Sequence, residues 1–488
     1  MGQTTLNMHP GAGKGGPTPP SHNDLYAKRQ NIYPKLAHGK FRMVKWVVMA
    51  ATLAVYYVLP WLRWDRGEGI PNQAVLADFE SEKFYFFFIE IWPQDIHFLA
   101  GLLILAALVL FLITSLLGRV WCGYTCPQTV WTDLYIWVER AFEGDRAARM
   151  RLDHAPWSFN KAWRKFGKHT IWLVIAFWTG GAFILYWHDA PTVAQGWFTG
   201  EAPLSAYWFA AILTLTTYFL AGWMREQVCT YMCPWPRIQG ALTDEHALNV
   251  TYRYDRGEPR GPKRKSESWD ERGDCIDCDQ CVQVCPVGID IRNGSQLECI
   301  HCALCIDACD QMMRKIDRPT GLIAYDTDVA VQARAAHQTP PKYRVLRART
   351  MLYVGLISAI GALLVWGLAT KATIEANVLK DRSPTFVELS DQVIQNGYTL
   401  KLVNKQSAAR TMVLSVSGLP DLTYSVIGFE HDGAGSLELP VEAHGVDRYR
   451  ILVRAPAGAP QRRIMFAVRD PETGETDINS ASFRGPQP

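Results

Sequence analysis

"CIDCDQCVQVC" at residues 275–285 and "CIHCALCIDAC" at residues 299–309 decide how this chain is read. Each is Cys-x2-Cys-x2-Cys-x3-Cys. Thiolates at this spacing wrap one corner of a cubane iron–sulfur cluster, and the fourth cysteine of each run ligates the other cluster. The spacing assigns Cys275, Cys278, Cys281 and Cys309 to one [4Fe–4S] cluster, and Cys299, Cys302, Cys305 and Cys285 to a second. Zinc also takes four thiolates, often as Cys-x2-Cys pairs, but two identical four-cysteine runs are hard to explain that way. Pro286 follows the first run and Asp310 the second. That proline shapes a turn and is not a ligand. Its absence bears on the potential or exposure of one cluster, not on binding.

Outward from these runs, the chain has 488 residues, too many for one ordinary domain, and a net charge of +3, which points to no polyanionic partner such as nucleic acid. All twelve cysteines fall into four compact motifs, unlike a secreted disulfide framework. No Gly-x-Gly-x-x-Gly follows a strand, so no nicotinamide or flavin domain is built in. Electrons for the clusters must come from another protein, a quinol or a small reductant. The Gly-rich "GAGKGGPTPP" at 11–20 lacks the Gly-Lys-Ser/Thr ending of a phosphate loop, and residues 1–24 read as disordered.

Five stretches are long and uncharged enough for a bilayer, which takes roughly 17–25 residues. They are residues 46–62, 96–118, 170–187, 202–224 and 350–370. "IWPQD" at 91–95 reads as an interfacial turn before the second. Residues 119–169 hold nine Lys/Arg and 225–349 hold eighteen, whereas 189–201 hold none and 63–95 hold three against seven acids. The positive-inside rule then puts the N-terminus, the 119–169 loop and the cluster segment in the cytoplasm. Five spans leave residues 371–488 outside.

Two further motifs sit at the membrane edge: "VWCGYTCPQT" (120–129) and "QVCTYMCPWP" (227–236). Both are Cys-x-x-x-Cys-Pro, with Arg119 and Arg225 just ahead and Tyr124 and Tyr231 inside. The repeat predicts two similar hairpins facing each other, with Cys122, Cys126, Cys229 and Cys233 in one pocket on the cluster side. Positions i and i+4 share a helix face and Pro is tolerated in the first turn of a new helix, so each pair bridges a span and an amphipathic helix such as 128–140. Four uses are open: packing, a transient redox disulfide, a third iron–sulfur cluster, or a soft metal. Thiolates favour Cu(I), and Met224 and Met232 lie close enough in sequence to add thioether ligands, though membrane-edge packing explains them as well.

After the last span, "TFVELS", "YTLKLVN", "TMVLSVSG", "YSVIGFE", "SLELPVEA", "YRILVRA" and "RIMFAVRD" predict about seven strands of an immunoglobulin-like sandwich. Either a binding role or a plain stable module fits it. His97, His169 and His188 lie at span ends, where haem ligation competes with ordinary interfacial placement. His301, inside the second cluster motif, reads as tuning its cluster through hydrogen bonding. "RGPKRKSE" at 260–267 reads as a solvated linker or headgroup contact.

In span order, "WCGYTCPQ", "CTYMCPWPR", double ferredoxin motif and final β-domain, the chain resembles the cytochrome c oxidase accessory proteins of the CcoG, FixG or RdxA type. Membrane polyferredoxins of nitrate and nitrous oxide respiration share the cysteine motifs but lack the β-domain. The resemblance implies maturation of a cbb3-type haem–copper oxidase and reduction of Cu(II) to Cu(I), with Cys122, Cys126, Cys229 and Cys233 as the copper-handling, catalytic candidates.

The expectation is a multi-domain membrane protein of the bacterial inner membrane: a five-helix α-helical transmembrane bundle, a cytoplasmic double-cluster ferredoxin-like domain and a C-terminal all-β immunoglobulin-like sandwich. Its parts are residues 1–40, a basic cytoplasmic N-terminus; 41–240, four spans with the two Cys-x-x-x-Cys-Pro motifs; 241–345, the 2[4Fe–4S] domain; 346–372, the fifth span; and 373–488, the periplasmic β-domain. The expected activity is cupric reduction supporting oxidase assembly. The alternatives are an electron relay between quinol and a partner enzyme, or a non-catalytic assembly factor. Expected partners are the membrane, oxidase subunits, a copper chaperone or exporter, an unidentified electron donor and, as an open question, a second copy of the chain.

Overall fold

A computed structural model describes residues 31–67, 69–79, 81–264, 268–270, 272–389, 392–406, 408–430, 432–456 and 462–485. The expectations for residues 1–24 and for the end of the 260–267 run lie outside the described residues. The chain divides into two compact units, one reaching to Ser358 and one formed mainly by Ala359–Pro488.

Among its described residues the first unit opens with the α-helices α1 (Lys40–Val58), α2 (Ile96–Leu117), α3 (Val120–Tyr124), α4 (Pro127–Glu143), α5 (Arg146–His154), α6 (Phe159–Ile184), α7 (Ala190–Thr199), α8 (Leu204–Thr217) and α9 (Trp235–Leu242). A three-stranded antiparallel meander, β1 (Val75–Asp78), β2 (Lys83–Phe86) and β3 (Ile89–Ile91), lies between α1 and α2. A single 3-10 turn, Pro93–Asp95, leads into α2 where the interfacial turn was expected.

Among the described residues four helical stretches are long and apolar enough to cross a membrane: Lys40–Trp61, Pro93–Leu117, Leu204–Met224 and Ala348–Ala369, the last being the helix that leaves this unit. None of the apolar window of Pro93–Leu117 is buried inside the protein. A helix of a soluble protein would turn one apolar stripe inward, so these leucines and phenylalanines suit lipid. The remaining expected span, 170–187, lies in α6. That helix is 26 residues long, but its first half carries Lys161, Arg164, Lys165 and Lys168. Its apolar part, 170–184, is about 22 Å long at 1.5 Å per residue, short of the roughly 30 Å hydrocarbon core.

Helix directions follow from contacts at the ends. Asp307, from the cluster domain, caps the start of α1 by accepting from the amide of Arg42 at 2.7 Å. No side chain of its own caps α1, and the first amides of a helix need acceptors. At the other end, Tyr56 donates to Thr179 O at 2.7 Å and Tyr186 donates to Tyr56 O at 2.9 Å, so α1 and α6 run the same way. The α2 and α8 stretches both end at the cysteine pairs, so they run the opposite way. Arg347 pairs with Asp244 at 2.8 Å and donates to Ser115 O at 2.6 Å, which starts the last helix at that same end.

The cluster domain contains β4 (Asn249–Tyr252) paired antiparallel with β5 (Ile323–Asp326), and the helices α10 (Tyr254–Gly257), α11 (Gln280–Gln283), α12 (Leu304–Lys315) and α13 (Asp328–Ala335). Val250, Tyr252, Ile291, Ile306, Met313, Leu322 and Ile323 form its core together with Cys281 and Cys309. Asp310 explains itself here. Without proline, α12 runs through Cys309 to Lys315, and Asp310 Oδ1 accepts from the amide of Gly321 at 2.8 Å.

α14 (Ala348–Ala369) begins in the first unit and continues into the second, which then forms β6 (Ile374–Lys380), β7 (Val387–Leu389), β8 (Val393–Asn404), β9 (Arg410–Ser417), β10 (Thr423–Val426), β11 (Asp432–Gly433), β12 (Leu437–Val441), β13 (Val446–Pro456), β14 (Arg463–Arg469) and β15 (Thr476–Ser482). One sheet has the order β11-β10-β13-β8-β6 with β7 also on β8, and the other β12-β9-β14-β15. Alternate residues face inward: Ile464, Phe466 and Val468 of β14 meet Tyr398 and Leu400 of β8 in one buried core. All seven expected runs are strands. Among the described residues three more exist, β6, β11 and β15. β11 is only two residues long, and the mostly polar "TDINSAS" of β15 carries too little apolar alternation to read as a strand.

Candidate redox site

Both cluster motifs bend in the same way. Asp277 and Asp279 flank Cys278 with φ of 55° and 53°, and His301 and Ala303 flank Cys302 with φ of 53° and 60°. Left-handed conformation at a residue other than glycine costs roughly 1–2 kcal/mol. Each loop accepts that cost twice and so curls its backbone around one point. Two adjoining cavities result. One is lined by Cys275, Cys278, Cys281 and Cys309. The other is lined by Cys285, Cys299, Cys302 and Cys305, with Cys281 on the shared wall.

The sulfurs also receive backbone donors. Burial pushes the Cys285 thiol up to about 11, while the amides of Val287, Ile289 and Gly288 pull it back, and the amide of His301 does the same for Cys299. Such donors favour a sulfur that carries negative charge. Two adjoining cavities that gather eight cysteines, with amides aimed at sulfur, fit a pair of [4Fe–4S] cubanes.

The membrane-edge cysteines are brought together. The thiols of Cys122, Cys126, Cys229 and Cys233 act on one another electrostatically. Burial raises Cys122 to about 12 and Cys229 to about 11, so without a bound cation these are neutral thiols. Cys122 is buried and the other three are half-buried. The two hairpins are built differently. Cys122 sits in α3, and Cys126 precedes α4, which begins at Pro127 as the motif predicts. Cys229 instead lies in a π-helical turn, Val228–Met232, preceded by a longer π segment, Tyr218–Met224. Such turns are rare and concentrate at functional sites. Met232 is exposed and Met224 half-buried.

The pocket abuts the second cluster cavity. Cys122, Cys302 and Ile300 share one buried apolar cluster, with Cys305 and Trp235 packed against it. Only glycine fits at position 123, because a Cβ there would stand 2.7 Å from Ile300 O and 3.0 Å from the amide of Cys302. Gly118, with φ 59°, ends α2 where a Cβ would stand 2.4 Å from Asn249 Oδ1. The Cys122 thiol donates to Gln239 Oε1 at 3.0 Å, and the same oxygen accepts from Arg119 Nε at 3.3 Å. Arg119 also donates to Leu297 O, and its own amide donates to His301 Nδ1 at 3.1 Å. Burial and the nearby Arg119 charge push the His301 ring down to about 3, so Nδ1 is unprotonated and able to accept that amide. Tyr325 donates to His301 O at 2.8 Å.

A buried ion network fastens the second hairpin. Glu139 of α4 pairs with Arg225, Arg149 and Lys168, and Glu143 pairs with Lys165 and Lys168, each at 2.9 Å. Asp133 holds Arg42 of α1 at 2.8 Å. Gln239, Glu139 and Asp307 carry no sequence signal: each is an ordinary polar residue whose partner lies far along the chain. Of the histidines considered for haem, His169 bonds Tyr218 at 2.9 Å and stacks on Trp223, while His97 packs beside Phe98.

Apolar membrane-length helices joined to two cysteine-lined cluster cavities define a membrane-associated iron–sulfur protein of the ferredoxin type. Comparison with known proteins agrees. Residues 224–328 match the 4Fe-4S dicluster domain, residues 99–143 a 4Fe-4S binding domain, and residues 364–486 the IG-like fold at the C-terminal of FixG. The chain is 46% identical over 492 residues to the nitrogen fixation protein FixG of Rhizobium meliloti, covering 95% of this chain and 94% of that one. It is 47% identical to protein RdxA of Cereibacter sphaeroides, covering 94% and 98%, and 48% identical to protein RdxB of the same organism, covering 90% and 91%. The chain belongs to the FixG family.

Proposed function

We propose that this protein is a membrane iron–sulfur oxidoreductase that reduces Cu(II) to Cu(I) at the pocket of Cys122, Cys126, Cys229 and Cys233, in support of cbb3-type oxidase assembly. The observation that carries this reading is the shared burial of Cys122 with Cys302 and Cys305, which sets a soft-donor pocket directly against the second cluster motif. Cys275, Cys278, Cys281 and Cys309 hold one [4Fe–4S] cluster; Cys299, Cys302, Cys305 and Cys285 hold the other. When bound, the clusters supply one-electron reducing power. The pocket's thiols bind the substrate ion and favour its monovalent state, and the half-buried side lets it enter and leave.

The helix directions support five crossings. α2 and the α8 stretch end beside each other, so the chain must return between them, and α6 is the helix available for it. Lys165 and Lys168 in its first half are paired with Glu143 of α4, so charge on that part of the helix is balanced inside the protein. With the basic segments inside, the cysteines and clusters face the cytoplasm of a bacterial inner membrane and the chain after α14 enters the periplasm. Oxidase subunits, a copper chaperone or exporter, and a separate electron donor are the partners this role requires.

A second reading has its own support. The 4Fe-4S binding domain match at residues 99–143 includes Cys122 and Cys126 and no other cysteine, which favours a third cluster in the pocket. One anaerobic experiment separates the two. The protein is reduced, freed of excess reductant and given Cu(II), while cluster absorbance and a Cu(I)-specific chelator are followed. A variant with Ser at all four pocket positions is run in parallel. Copper reduction is supported by Cu(I) formed in step with cluster oxidation and a sharp slowing in a variant that keeps its iron. Equal rates overturn it. Iron content of about twelve per chain, falling to about eight in the variant, selects the third cluster.

A further inference from the structure

The two cysteine hairpins differ in what their arginines pair with. Arg225 is bound to the Glu139 carboxylate. Arg119 is 4% exposed, and its side chain donates to two neutral oxygens, Gln239 Oε1 and Leu297 O. Among the described residues no carboxylate stands within ion-pair distance of it. A buried guanidinium is costly unless an opposite charge accompanies it. The groups its charge reaches are Cys122 and Cys229 in the pocket and Cys299 of the second cluster motif.

We propose that Arg119 is the counter-ion of the metal–thiolate centre formed in the four-cysteine pocket, and that it biases that centre toward a monovalent, thiophilic cation. The inference rests on reading the pocket as the copper site. The charge count runs in its favour. Cu(I) bound by n thiols releases n protons to solvent and leaves a complex of charge 1 − n, negative whenever two or more thiols bind. Cu(II) on the same thiols leaves 2 − n. One electron from the reduced protein converts the second into the first with no change in protons. A fixed positive charge alongside therefore stabilises the more negative Cu(I) complex more, and burial keeps salt from screening it. Arg119 is a positioning residue: it touches Gln239, which in turn touches the Cys122 thiol, and it acts through its field.

The test uses the full-length protein carrying both clusters, with iron content and melting temperature measured for every variant. Cu(I) is titrated anaerobically against a coloured Cu(I) chelator. Arg119→Gln removes the charge. Gln239→Glu keeps Arg119 but gives it a carboxylate. Arg119→Lys keeps a charge with different hydrogen bonding. The proposal expects Cu(I) affinity to fall about tenfold in both neutralising variants, roughly one unit of proton-affinity change at a neighbouring thiol, and to stay close to wild type in Arg119→Lys. If Arg119→Gln loses iron, Gln239→Glu and Arg119→Lys carry the comparison. Unchanged affinity in the neutralising variants overturns the counter-ion role while leaving the copper site standing, provided the four-serine variant loses its Cu(I). An equal loss in Arg119→Lys also overturns it, since packing would then be the cause. Full Cu(I) binding by the four-serine variant removes the copper reading and this inference with it.

Discussion

The backbone amide of Arg119 donates to Nδ1 of His301 at 3.1 Å, across 182 residues of chain. Arg119 stands just before the first membrane-edge cysteine pair, and His301 stands between Cys299 and Cys302. One hydrogen bond thus fastens the end of a membrane helix to the second cluster motif. His301→Phe keeps the ring packing but strands a buried N–H, which costs about 1–3 kcal/mol. His301→Asn can still accept and should recover part of it. Thermal unfolding of the iron-loaded protein in detergent measures both. Equal stability of the two variants would remove the hydrogen bond from the account.

The cavities divide the cysteines across the two runs, not within them. Cys309→Ser should therefore lower iron from about eight to about four per chain, and adding Cys275→Ser should lower it no further. Adding Cys299→Ser to Cys309→Ser should remove nearly all of it. Iron assay with electron paramagnetic resonance reads the result. The reverse pattern would mean that each run holds its own cluster.

Much of this was legible in the sequence because the signals are local. Residues 96–117 are apolar on every face, and a cysteine spacing of two, two and three reads without any fold. Pro127 marked the start of α4. What stayed hidden depends on distant partners. Arg119, Gln239 and His301 meet only once α2, α9 and the cluster motif are packed, and nothing about a lone glutamine in "RIQGA" announces it. The four left-handed residues at 277, 279, 301 and 303 were hidden because none is glycine. The four basic residues at 161–168 read as loop in the sequence, whereas the structure makes them the first half of α6, continuous with the apolar stretch 170–184.

Glu139 illustrates a charge that only the fold explains. Burial alone would raise its carboxyl, but Arg225 and Arg149 outweigh that and hold it below the ordinary 4.5. A depressed carboxyl adds stability that is present above the usual carboxylate range and is lost as pH falls through the folded value. Glu139→Gln leaves Arg225, Arg149 and Lys168 short of a counter-charge and should cost about 3–5 kcal/mol at neutral pH. The gap between wild type and variant should be flat from pH 8 to 6 and shrink below about 4.5. Melting curves of both proteins across that range check it, and a gap that persists unchanged into acid would mean that the carboxylate charge is not its source.

The β-domain offers the cleanest separation of stability from redox chemistry, because it contains no cysteine. Phe466 of β14 is fully buried against Tyr398 of β8, with ring centroids 5.1 Å apart. Phe466→Ala should destabilise this sandwich by about 3–5 kcal/mol through lost burial and the cavity left behind. Calorimetry should show its transition moving down, and limited proteolysis should cut the β-domain sooner. Iron content should stay at its wild-type value, since all eight cysteines of the two Cys-x2-Cys-x2-Cys-x3-Cys runs lie in the first unit. Loss of iron in step with loss of the β-domain would mean that the two units fold as one.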